Sequence, residues 1–193
     1  MSEDESPHGL VATGLWKRLV GTGLERFELL RDRSGWIQRG TILAASEGAP
    51  FEARYEVRTD TAWNTRSVDV RLKGADGERS LRLLVENGRW YADGREREAV
   101  RGCVDVDLGW SPATNTLPIR RLRLAIGESR EVTAAWVRFP DLDLEPLPQE
   151  YQRLGERSYR YASAHGAFVA QIDVDGDGLV VEYRGQWQRV SGG

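Results

Sequence analysis

Apolar and polar residues alternate along most of this chain with the period of a β-strand. In residues 51–58, Phe51, Ala53, Tyr55 and Val57 fall on one face and Glu52, Arg54, Glu56 and Arg58 on the other. A period of two this regular predicts an antiparallel strand with one buried face. Similar stretches cover 24–32, 36–46, 67–72, 79–86, 89–92, 103–108, 131–139, 149–154, 158–163, 168–174, 179–183 and 187–190. A further stretch, 142–147, is expected at a sheet edge, because Pro146 and Pro148 bracket its end. Turn signals separate the strands roughly every ten residues, the strongest being the Asn87-Gly88 pair. The alternation breaks only around 111–123, where two prolines and Thr114-Asn115-Thr116 predict a loop with one or two helical turns. A sheet of this many strands must curl, close or split. The expected fold is therefore all-β: a single curved antiparallel sheet forming a partly closed barrel, with one short helical segment near 113–124. Residues 1–12 are expected to be a disordered start and 13–193 a single domain.

Composition narrows the picture. A chain of 193 residues, 40 % hydrophobic and 30 % charged, suits one folded domain. The net charge is −3 with signs mixed throughout, which argues against nucleic acid as a partner. The single cysteine, Cys103, excludes an internal disulfide and reads as a buried, inert thiol. The acidic start MSEDESPHGL lacks the basic and apolar regions of a secretory signal. No apolar run reaches the ~18 residues of a membrane span. The expectation is a soluble, cytoplasmic protein without a transmembrane segment.

Several clusters carry candidate chemistry. Asp173, Asp175, Asp177 and Gly178 match the first half of a calcium loop, but Arg184 stands where the bidentate acid belongs, so a hairpin turn is expected. His8 and His165 are isolated, and neither a metal nor a cofactor is expected. Asp105 and Asp107 share a strand face. They either pair with Arg120 or Arg121, contact a ligand, or act as acid and base on a glycoside. Trp63, Asn64, Thr65 and Arg66 form a polar-aromatic cluster able to stack on a sugar ring or close a hairpin. Trp90, Tyr159 and Tyr161 sit in strands, as core or as cavity wall. No nucleophile elbow or phosphate loop is present, and no catalytic residue is assigned.

The run GCVDVDL at 102–108, continuing into SPATNTLPIRRL at 111–122, resembles the signature of the "putative glycolipid-binding" family of bacteria. The patterns around Tyr55, Asp60, Trp63 and Arg66, the Asn87-Gly88-x-Trp90 hairpin, Trp136 to Pro140, Tyr159-x-Tyr161 and Asp175 to Tyr183 agree with it in order, over about residues 16–190. The family pattern often has an aromatic residue where this chain has Ala113. The resemblance implies a spoon-like, mostly antiparallel half-barrel, similar in shape to the lipoprotein carriers LolA and LolB. It also implies non-catalytic binding of a lipid or glycolipid in an aromatic-lined concavity, an inference from shape. Under that reading Trp63, Arg66, Trp90, Asp105, Asp107, Asn115, Arg120, Arg121, Tyr159 and Tyr161 are the candidate ligand-binding residues. The alternatives are a hydrolase of a glycolipid or lipid ester using the paired aspartates, and a protein-interaction module.

Overall fold

The computed structural model describes residues 9–192. Fifteen strands form one sheet. They are β1 (Gly9–Arg18), β2 (Thr22–Arg31), β3 (Gly35–Ser46), β4 (Ala49–Asp60), β5 (Thr65–Gly74), β6 (Gly77–Glu86), β7 (Arg89–Ala92), β8 (Arg95–Glu96), β9 (Val106–Leu108), β10 (Ser129–Arg138), β11 (Asp143–Arg153), β12 (Ser158–Ser163), β13 (Phe168–Val174), β14 (Val180–Tyr183) and β15 (Trp187–Ser191). Two meanders, β1 to β8 and β10 to β15, meet where β1 pairs with β15. Every pairing is antiparallel except that of β9 with β10. The sheet is all-β and curved as expected, and it stays open: β8 and β9 are its edges.

The predicted faces hold. On β4, Phe51, Ala53, Tyr55 and Val57 are buried. Their charged neighbours form ion pairs on the outer face, among them Arg39–Glu56 and Arg54–Glu52. Such exposed pairs each contribute at most about 1 kcal/mol. Asn87 and Gly88 both take positive φ, 51° and 75°, as a two-residue hairpin turn requires. One interior glycine has a packing reason. A Cβ on Gly40 of β3 would lie 2.3 Å from the ring of Tyr55, which crosses that strand at the directly paired position. Gly40→Val should therefore cost about 1–3 kcal/mol by overpacking. An unchanged unfolding midpoint in denaturant would show that the ring does not depend on this gap.

The open sheet is tied across without a strand ladder. Between β8 and β9 the chain leaves one edge and returns over the other end. Gly102 N donates to Gly88 O (2.8 Å) and Trp90 Nε1 to Cys103 O (2.8 Å). Thr65 N donates to Val104 O (3.2 Å), and Val106 N to Thr65 Oγ1 (3.1 Å). The chain then turns inward. Residues 111–119, which include a 3-10 turn at Ala113–Asn115 and the start of helix α1 (Thr116–Leu122), are buried throughout.

Two expectations need correction, and one holds in part of a strand. The concave face is not hollow at its centre: Ala113, Leu117, Pro118 and Ile119 pack into it, because the segment that breaks the alternation carries its own apolar residues. The edge character expected of 142–147 holds: β11 as a whole lies between β10 and β12, but its first half pairs only with β10. Its prolines are tolerated because pairing with β12 begins only at Gln149, beyond Pro146 and Pro148. β1 begins at Gly9, inside the span expected to be disordered, and the remainder of that expectation lies outside the described residues.

Candidate functional site

At the end of the sheet formed by the β1–β2, β3–β4 and β5–β6 turns lies a groove of about 1090 Å³. Gly21, Gly23, Leu24, Leu43, Ala44, Ala45, Pro50, Phe51 and Gly74 contribute its apolar wall. Two of its glycines leave room: a Cβ on Gly21 would meet nothing within 4 Å, and one on Gly74 would make ordinary contacts with Leu72 (3.7 Å), Phe51 (3.8 Å) and the Pro50 carbonyl (4.0 Å), so a larger side chain at position 74 would take up groove space beside Phe51. Phe51 meets the Trp110 ring edge-on at 5.1 Å and lies 6.4 Å from the Phe139 ring. The rim turn of β1–β2 carries exposed Leu19 and Val20. Apolar concavities of this size are typical small-molecule sites.

The charged lining of the groove is mostly positive. Its ionic lining is Lys17, Arg18, Lys73 and Glu52, and Glu52 is held by Arg54 at 2.8 Å. The Arg18 guanidinium lies 3.6 Å from the Trp110 ring centroid and 5.7 Å from that of Trp187. Its Nε donates to Val20 O (2.7 Å), while Nη1 is buried with no acceptor among the described residues. Burial pushes this guanidinium below its ordinary pKa.

Directly behind Trp110, a buried polar network fastens the inserted segment to the sheet. Tyr55 Oη donates to Glu25 Oε1, and Ser111 Oγ donates to the same oxygen (2.8 Å). Ser111 Oγ also accepts from Ala113 N (3.0 Å). Gln38 Nε2 donates to Ala113 O (3.2 Å), Thr116 Oγ1 to Gly178 O (3.0 Å) and Tyr151 Oη to Asn115 Oδ1 (2.9 Å). Glu25 is wholly buried, and burial pushes its carboxyl up to about 8 despite the two hydroxyl donors. It is held as a neutral acid at pH 7.

The residues nominated from sequence do not gather at one place. Trp63 is 3 % exposed and stacked on Trp36 at 4.5 Å, with the Arg120 guanidinium 5.3 Å from its ring. No open face remains there for a sugar. Arg120, Arg123, Arg153 and Tyr159 line a smaller pocket of about 370 Å³ with Asp175 and Gly178. This pocket lies by the β4–β5 turn end, opposite the groove. Arg66 points outward onto Asp60 at 2.7 Å. Trp90 is a core residue. Asp105 is 1 % exposed and grips Arg121 through both oxygens, with Nε to Oδ1 at 3.0 Å. Asp107 accepts from the Gln149 amide, and burial pushes its carboxyl up to about 6. Tyr161 packs edge-on against Tyr151 and Tyr183 beside it. Burial also pushes the Cys103 thiol up to about 11, as an inert thiol requires. In the 173–178 turn, the Asp175 carboxylate accepts from Asp177 N, Leu179 N and Arg189. Among the described residues no cluster of three metal-ligating side chains exists, and no helix is long and apolar enough to cross a membrane.

Sequence reasoning missed Glu25, Tyr55, Arg18 and Trp110. Glu25 had a signal: on β2 it shares a face with Phe27 and Leu29, so the alternation itself placed an acid inside. Arg18 had none, being one of 27 basic residues.

Comparison with known proteins supports the resemblance carried by the 102–122 run. The family described as "Putative glycolipid-binding" matches residues 13–189. A crystal structure of a DUF1089 family protein from Pseudomonas aeruginosa is 34 % identical, with a TM-score of 0.79 over 86 % of this chain and 92 % of that one. No functionally curated protein matches the chain.

Proposed function

The chain belongs to the "Putative glycolipid-binding" family, and from that premise we propose that it binds a lipid or glycolipid, without catalysis, in the groove between the turns of β1–β2, β3–β4 and β5–β6. The observation that carries this reading is the groove itself. At about 1090 Å³ it is larger than the 370 Å³ pocket at the opposite end, its wall is largely apolar, and Gly21 and Gly74 leave room within its lining. Burying one acyl chain there would contribute about 0.8 kcal/mol per methylene.

Absence of catalysis is supported by the state of the paired aspartates. Asp105 is committed to Arg121, and neither acid lines the groove. A general acid or base must reach its substrate within hydrogen-bond distance.

Calorimetric titration with dodecyl glucoside, kept below its micelle concentration, tests the proposal. Wild type should bind it, and Gly74→Phe should weaken binding at least about tenfold by filling the groove, with the unfolding midpoint little changed. Equal affinity in wild type and Gly74→Phe would place the ligand elsewhere.

A further inference from the structure

We propose that the groove selects amphiphiles with an anionic head, a carboxylate or a phosphate, and that Arg18 is the counter-ion that selects them. This rests on the groove being the lipid site and adds the charge of the ligand's head group.

The argument compares two arginines. Arg121 is partly buried, and the chain supplies its counter-ion: Asp105, bound through both oxygens. Arg18 is also partly buried, yet among the described residues no carboxylate meets it. Its described partners are one carbonyl, two tryptophan rings and the apolar groove. A desolvated guanidinium without a counter-ion is unfavourable unless something else supplies the negative charge. Lys17 and Lys73 stand in the same lining, and the one acid there, Glu52, is engaged by Arg54. The local surplus is thus positive, although the whole chain carries a net charge of −3. Surplus positive charge in a low-dielectric cleft attracts anions and strengthens their contacts once water is excluded.

Arginine is suited to this position. Its planar guanidinium stacks on Trp110 and still presents edge donors that match a carboxylate or phosphate in a forked geometry. Trp110 is itself placed by the inserted segment: the adjacent Ser111 is anchored on Glu25. The segment that fills the centre of the concavity therefore also builds the polar end of the groove. A head group seated on Arg18 would leave its chain running along Gly23, Ala44, Phe51 and Gly74.

The test uses three probes with the same twelve-carbon chain: dodecyl glucoside, laurate and dodecyl phosphate. With wild type at low salt, at least one anionic probe should bind about tenfold or more tightly than the glucoside, and whichever anion binds more tightly identifies the head. Arg18→Gln should remove that preference, read as the ratio of anion to glucoside affinity within the same variant, while Arg18→Lys should retain part of it. Lys73→Gln, at an exposed position, should lower anion affinity by a smaller factor and guards against Arg18→Gln failing to fold. Equal binding of all three probes to wild type, or an anion preference that survives Arg18→Gln, would overturn the inference while leaving the groove as the lipid site. Binding of none of them would overturn both.

Discussion

Glu25→Gln should stabilise the protein at alkaline pH and leave it nearly unchanged in acid. The folded state holds Glu25 neutral up to about 8, whereas the unfolded chain ionises it near 4.5. Between those values the unfolded state binds fewer protons than the folded one, so wild-type stability falls as pH rises through that window and stays low above it. For a wholly buried group, a shift of this size corresponds to a loss on the order of 4–5 kcal/mol. Glutamine cannot ionise, and its carbonyl can still accept from Tyr55 and Ser111. Denaturant unfolding at about pH 5 and about pH 9 should therefore show the variant gaining several kcal/mol on wild type at the higher pH and close to none at the lower. Asp107, raised to about 6, bends the wild-type curve in the same sense over a lower range and is common to both proteins. A gain of the same size at both pH values would mean that Glu25 is not the titrating group.

The second large effect concerns the ion pair under helix α1. Arg121→Met removes the only described partner of a carboxylate that is 1 % exposed. Leaving that charge unpaired should cost about 3–5 kcal/mol. Replacing both partners, as Asp105→Leu with Arg121→Met, should recover most of the loss, because the desolvation cost of both charges disappears with them. Unfolding free energies of the two variants decide the matter. A double variant as unstable as the single one would show that the pair is needed for its geometry rather than for neutralising a buried charge.

These two anchors explain what the 102–122 run does. It is both a lock and a scaffold. Asp105–Arg121 fastens the helix to the chain that crosses the sheet, and Glu25–Ser111 fastens the loop to β2. Trp110, between them in the chain, reaches Arg18 at the groove. Loosening either anchor should shift the Trp110 wall against which Arg18 is stacked. A loss of ligand binding in such variants therefore needs to be judged against their stability.

Most strands were legible in the sequence because a half-buried sheet writes its two faces into alternate residues. Phe51 to Arg58 is the clearest example, and Asn87-Gly88 marked its turn through a backbone conformation that few residues accept. The candidate site was less legible. Trp63, Arg120 and Tyr159 are drawn to one end and Arg18 and Trp110 to the other, through contacts between residues distant in the chain. The functional emphasis fell on arginines of the densest motif, and one of these, Arg121, is spent on holding the fold.

By itself the sequence determined the class of fold, the inward and outward faces of its strands, and that the alternation breaks around 111–123. Period and turn chemistry are local properties of the backbone. Only the tertiary structure decided that β1 and β15 join the two meanders, that residues 111–119 fill the centre of the concavity, and that one arginine meets an aspartate while another meets only aromatic rings and a carbonyl. Alternation states which face is buried but not what buries it, and charge pairing across a curved sheet depends on how far that sheet bends.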